Sequence, residues 1–170
     1  MTDVKVRDRE ASGTLLYLRD EDLREGMELL YFAYRDFTAE ADAILAELKM
    51  GRAHHRALHF IARNPGITIM ELLKVLRITK QSLGRVLTEL TCAGLVATKQ
   101  GARDKRFKHL TLTEQGAELE KRLSATLKRA IHAAYRSAGP DAVKGFRRVL
   151  EGLLKPATDE LIAEMGRKRK

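Results

Sequence analysis

The chain has 170 residues and a formal net charge of +9, about one domain's length, with enough apolar content to bury a core. Its single cysteine, Cys92, excludes an internal disulfide, and the longest early apolar run, Leu15-Leu16-Tyr17-Leu18, is far too short for a signal peptide or membrane span. A reducing cytoplasm is therefore the expected setting, and an enzyme is not expected, since there is no phosphate-cradling glycine loop, no Gly-x-Ser-x-Gly elbow and no metalloprotease helix motif.

Residues 1–19 read as an N-terminal arm and residues 20–50 as a helical segment. In that segment Leu23, Met27, Leu30, Tyr31, Tyr34, Phe37, Ala41, Ile44 and Leu48 line one broad apolar stripe, wide for so small a chain. The following helix carries His54, His55 and His59, and His55 with His59 has the i, i+4 spacing of a metal pair. Two ligands do not complete a tetrahedral set. Cys92, His109 or Asp42 would have to arrive from elsewhere in the fold, so neither a metal nor a cofactor is expected, and packing or surface roles are the ordinary reading.

Asn64-Pro65-Gly66 ends that helix, and Thr68 is placed to cap a short one whose apolar face is Ile67, Leu72, Leu73, Val75 and Leu76. After Arg77-Ile78, Thr79 can cap a second helix reaching about Ala93, with Leu83, Val86, Leu87 and Leu90 on one side. Its other side shows Lys80, Gln81, Ser82, Gly84, Arg85 and Thr88, mostly hydrogen-bond donors on the first turns, where a recognition helix meets base edges and phosphates. Cys92, between Leu90 and Gly94, reads as a small buried hydrophobe. Gly94 stops the helix, residues 95–99 and 107–112 read as a strand and its return, and the turn between them is Gln100-Gly101-Ala102-Arg103-Asp104-Lys105-Arg106. A helix-turn-helix followed by a hairpin with a basic tip is the order of a winged DNA-binding domain, here residues 51–112.

These residues resemble the MarR family of winged-helix transcription regulators. Gly94-Leu95-Val96 looks like that family's entry to the wing, and Asp104-Lys105-Arg106 with Leu110-Thr111-Leu112-Thr113 and Gly116 looks like its wing tip, returning strand and threonine-capped helix start. The likeness implies that Asp104 holds the wing tip so that Arg106 can enter the minor groove, where a narrow groove concentrates negative potential. Thr79, Lys80, Gln81, Ser82 and Arg85 are then the groove-facing candidates, with Arg103, Asp104, Lys105, Arg106 and Lys108 for the wing. Lys108-His109 departs from the aliphatic residues common in relatives, which predicts a more loosely packed wing. Some MarR-like proteins sense oxidants through a cysteine near the start of the chain, a position that Cys92 does not match.

Glu114 opens a long helix to about Ala138, and Gly139-Pro140-Asp141 starts another that reaches about Met165, with Pro156 expected to kink or divide it. Val149, Leu150, Leu153, Leu154, Leu161 and Ile162 form its apolar side, and His132 reads as structural. Residues 20–50 and 113–170 together carry more apolar surface than one winged core can cover, so a two-fold homodimer joined by these dimerisation helices is expected. The fold class is thus mainly α with a small β wing.

Charge divides in the same way. Residues 1–50 carry 7 basic and 12 acidic side chains, a balance of −5, whereas residues 51–112 carry 12 and 3, a balance of +9. The positive field therefore lies on the winged segment, as phosphate neutralisation requires. The resemblance also implies an effector pocket for a small, often aromatic or anionic, molecule. Tyr31, Tyr34, Phe37, His55 and His59 are its candidates, and the same residues equally suit a core. The expected partners are double-stranded DNA, a second copy and such an effector, with no membrane. The expected function is a sequence-specific regulator reading a palindrome, a repressor because MarR-like proteins commonly occlude promoters; the alternative is a sequence-tolerant architectural DNA binder using the wings and the tail Arg167-Lys168-Arg169-Lys170 for phosphates.

Overall fold

The computed structural model describes residues 18–100 and 108–167, so Arg103, Asp104, Lys105 and Arg106 lie outside the described residues. Its elements are α1 (Asp20–Glu47), α2 (Arg52–Arg63), β1 (Ile67–Thr68), α3 (Ile69–Leu76), α4 (Lys80–Cys92), β2 (Val96–Gln100), β3 (Lys108–Leu112), α5 (Glu114–Gly152) and α6 (Pro156–Arg167). No helix among the described residues is long and apolar enough to cross a membrane. The backbone divides into a unit ending at Ala39 and a larger one beginning at Glu40.

The first unit holds the opening turns of α1. Asp20, Glu21 and Asp22 stand in its first turn, where carboxylates meet the positive end of the helix dipole. Leu23, Met27, Leu30, Tyr31 and Tyr34 of the expected stripe are all solvent-exposed, as are Leu29 and Phe32 beside them.

The second unit is built on Leu45, Leu58, Ile61, Leu72, Leu83, Leu90, Leu110 and Leu123, every one of them fully buried. Ala41, Ile44 and Leu45 turn the end of α1 onto this core, while Leu48, expected in the stripe, is exposed. The reason is local: α1 stops at Glu47 and Lys49 takes a positive φ of 56°, so Leu48 sits on the turn and Leu45 takes the inward position.

Ile67 corrects another expectation. It does not open the short helix but forms β1, paired antiparallel with Leu110 of β3, in a three-stranded sheet of order β1-β3-β2. Val96 lies opposite Leu112 and Thr98 opposite Leu110, which puts the buried Leu110 in the central strand. His109 does not loosen this strand. Its Nδ1–H donates to the Gly66 carbonyl at 2.8 Å, and Gly66 N–H donates to the Leu110 carbonyl at 2.9 Å.

Helix α3 starts at a capping box. Thr68 N–H donates to Glu71 Oε2 at 2.8 Å, and Glu71 N–H donates to Thr68 Oγ1 at 3.2 Å. Thr68→Ala should cost about 1 kcal/mol, read as a lowered urea midpoint at unchanged m-value, and an unshifted midpoint would remove the cap's role.

Gly94 leaves α4 with a positive φ of 70° and hands the chain to β2. Thr113 then caps α5: its hydroxyl accepts from Gly116 N–H at 3.0 Å and donates to the Gly94 carbonyl at 2.6 Å. Gly116 lies directly against the Leu95 carbonyl. Within α5 the helical path is interrupted at Gly139 (φ 82°, ψ 169°), followed by Pro140, as the expected break between two helices requires. Pro156 divides rather than kinks the last segment. It opens α6 at the first helical position, where its missing N–H is no loss.

Candidate nucleic-acid interface

Helix α4 has two chemically distinct sides because its apolar residues recur every three or four positions. Leu83, Val86, Leu87 and Leu90 are buried, and that orientation leaves Lys80, Gln81, Ser82, Gly84, Arg85 and Thr88 exposed. Thr79 fixes the start: its hydroxyl accepts Ser82 N–H at 3.1 Å and donates to Ser82 Oγ at 2.8 Å. The two hydroxyls at the first turn are thus oriented by the cap itself. Thr88 bends back to donate to the Gly84 carbonyl at 2.9 Å, and a Cβ at Gly84 would meet open space. The result is a bare helical ridge with Lys80, Gln81 and Arg85 standing proud of it.

A chain of polar contacts runs behind Arg85. Its Nε lies 3.3 Å from Glu89 Oε1, one turn on, while Glu89 Oε2 lies 2.6 Å from Nε2 of the buried His54. His54 Nδ1 accepts the Gly51 N–H at 3.1 Å, across the first turn of α2. His54 stood out in sequence only as one of three histidines on its helix, and Glu89 not at all. Arg85 and Glu89 share an i, i+4 relation that periodicity reveals, but His54 lies 35 positions from Glu89 and only the fold brings it there.

Lys108, the remaining wing candidate among the described residues, is exposed at the start of β3 opposite Gln100. Cys92 is not the buried hydrophobe expected of it. It is an exposed free thiol, because two residues beyond the inward Leu90 the helix has turned its other side to solvent. His132 is likewise exposed on α5 rather than packed.

Of the effector candidates, Tyr31 and Tyr34 are exposed and Phe37 half-buried in the N-terminal unit. His55 and His59 belong to the larger unit. Burial, reinforced by the neighbouring His59, pushes the His55 imidazole below its usual range, so the neutral ring is favoured despite Glu120 and Asp42. His59 Nδ1 pairs with Glu120 Oε1 of α5 at 3.1 Å, which gives it a structural partner. No group of three or more His, Cys, Asp or Glu able to hold a metal ion occurs among the described residues. A cleft of about 710 Å³ lies elsewhere, lined by Arg63, Asn64, Lys74, Glu164 and Met165 among others, and none of the five effector candidates lines it.

Comparison with known proteins gives a consistent picture. Residues 48–106 match the model of the MarR family. The chain is 57% identical over 144 residues to the HTH-type transcriptional regulator PetP of Rhodobacter capsulatus, covering 85% of this chain and 87% of that protein. Its fold is similar to that of Streptococcus pneumoniae FabT in complex with DNA, with a TM-score of 0.71 at 17% identity, over 78% of this chain and 94% of FabT. It is also similar to a Mycobacterium tuberculosis MarR family protein in complex with p-aminosalicylic acid, with a TM-score of 0.54 at 28% identity, over 74% and 95% of the two chains.

Proposed function

We propose how this chain works from the premise that it belongs to the MarR family, as a DNA-binding transcriptional regulator: two copies read a palindromic site and repress by covering it. The observation that carries this reading is the bare outer ridge of α4, where Thr79, Lys80, Gln81, Ser82 and Arg85 face solvent while the opposite side anchors the core. Inserted in a major groove, such a helix offers donors to base edges and phosphates from its first turns. Residues 51–112 form the reading domain in this proposal, residues 20–50 and 113–170 the dimerisation helices, and residues 1–19 an arm.

Support for two copies comes from apolar surface. Met27 is 72% exposed, Leu153 63% and Val149 64%, and single winged units do not ordinarily leave so many large side chains in water. A two-fold pair sets its recognition helices about one turn of DNA apart. The complex of the Mycobacterium tuberculosis relative with p-aminosalicylic acid supports an effector of that class, an aromatic carboxylate, which would act by favouring one spacing of the two readers. The cytoplasm is the proposed setting.

The test is selection of bound duplexes from a random-sequence DNA library with the full chain at about physiological salt. An enriched palindrome with half-sites roughly ten base pairs apart is the expected result. Binding without enrichment would replace the reading with a sequence-tolerant architectural role. For the wing, Arg106→Ala should weaken binding to the enriched duplex about tenfold or more, and Asp104→Ala less, through loss of the arginine's orientation. Lys105, Arg103 and Lys108 are proposed to add phosphate contacts, which lower the salt slope when removed. Unchanged anisotropy titrations for both Arg106→Ala and Asp104→Ala would overturn the wing's role.

A further inference from the structure

We infer that His54 and Glu89 are positioning residues that set Arg85 to read a guanine, an inference that rests on α4 being the recognition helix. An isolated exposed i, i+4 pair holds its partners weakly, and Arg85 and Glu89 have side-chain exposures of 83% and 45%. The arrangement here differs because Glu89 is anchored from behind. Gly51 N–H can only donate, so the His54 Nδ1 facing it at 3.1 Å carries no proton and Nε2–H is the donor to Glu89 at 2.6 Å. The Gly51 amide is one of the donors that a helix start leaves unpaired, so the first turn of α2 selects the imidazole tautomer. A buried ring then fixes an exposed carboxylate, and the carboxylate orients the arginine.

The chemistry that follows is specific. With Nε the nitrogen paired with Glu89 Oε1 at 3.3 Å, the two terminal nitrogens of Arg85 remain as a planar fork, which matches the O6 and N7 acceptors of guanine in the major groove. A phosphate also accepts such a fork, but it binds a cation without needing a carboxylate beside it. A carboxylate on the reading side opposes the DNA's own charge, and its presence is accounted for by orientation of the fork rather than by attraction to the backbone.

The experiment uses the full chain and its variants in the duplex selection, followed by anisotropy titration of the enriched duplex and of versions with each guanine replaced by adenine. Arg85→Ala should abolish the guanine preference at one base pair per half-site. Glu89→Ala should lower that same guanine-over-adenine ratio on the order of tenfold, while affinity for random duplex stays level or rises because a negative charge has gone. His54→Gln, whose amide can still donate to Glu89, should keep the ratio, and His54→Ala should match Glu89→Ala. Since His54 is buried and its alanine variant can lose folding, the surface change Glu89→Ala decides the matter.

Retention of the ratio in Glu89→Ala, with its loss in Arg85→Ala, overturns the positioning role and leaves α4 as the reader. Loss of a cytosine preference instead would make Glu89 itself a base contact and likewise overturn it. Unchanged binding in Arg85→Ala, Lys80→Ala and Gln81→Ala together would remove the recognition-helix reading, and this inference with it.

Discussion

Gly116→Ala should destabilise the protein by about 3 kcal/mol, although helix propensity alone predicts the opposite sign. A Cβ built at Gly116 falls 2.0 Å from the Leu95 carbonyl oxygen, 2.9 Å from its carbon and 3.2 Å from its Cα. These are backbone atoms, and they cannot swing away as the end of a long side chain can. Leu95 is held from both sides: its N–H donates to the Leu90 carbonyl at 2.9 Å, and its own carbonyl accepts Thr113 N–H at 3.1 Å. Relief must come from moving α5 or the start of the wing, and either motion opens the core around the fully buried Leu123 and Leu90. For a chain of this size the loss corresponds to a fall in melting temperature of about 10 °C. Gly84→Ala is the control, since its Cβ would meet nothing within 4 Å on the exposed side of α4 and the same propensity argument should there raise stability slightly. A melting temperature for Gly116→Ala at or above the parent's would disprove the close approach.

The double change Leu150→Asp with Leu153→Asp should give a folded monomer whose affinity for a two-half-site duplex is lower by about a hundredfold to ten-thousandfold. Leu150 and Leu153 are 37% and 63% exposed on the second part of α5 and its end, so little of the chain's own core is lost. In a subunit interface, by contrast, two carboxylates would have to leave water without partners, which costs several kcal/mol. The loss in DNA affinity follows because a second half-site bound by a tethered copy is bound at high effective concentration, and a monomer forfeits that gain. Sedimentation and anisotropy check the two halves of the prediction. A variant that still sediments as a dimer would move the interface elsewhere.

The helical elements were legible because each one's burial follows its own period. Leu83, Val86, Leu87 and Leu90 needed no partner to be recognised as one side of a helix, and Thr68, Thr79 and Thr113 mark their helix starts through bonds to residues three positions on. What escaped was non-local. A two-residue strand has no period, and Ile67 becomes β1 only because Leu110, 43 positions away, supplies its partner. The same holds for the polar chain behind Arg85, where the recognition-helix half was readable and the His54 half was not. Cys92 was a different kind of error, since its residue type suggested burial while its phase relative to Leu90 already placed it on the opposite side.

The threonine cap and the close approach at Gly116 have a mechanical meaning. Thr113 and Gly116 clamp the root of α5 to Gly94 and Leu95, two of the three residues that join α4 to the wing. The junction between α4 and β2 is therefore seated at the root of a long helical arm. At a rise of 1.5 Å per residue, the stretch from Glu114 to the break at Gly139 is an arm of roughly 37 Å, so a tilt of about 5° at the root corresponds to some 3 Å at the far end. A displacement where this stretch ends is thus scaled down about its root, at the Gly94–Leu95 junction that leads from α4 into β2.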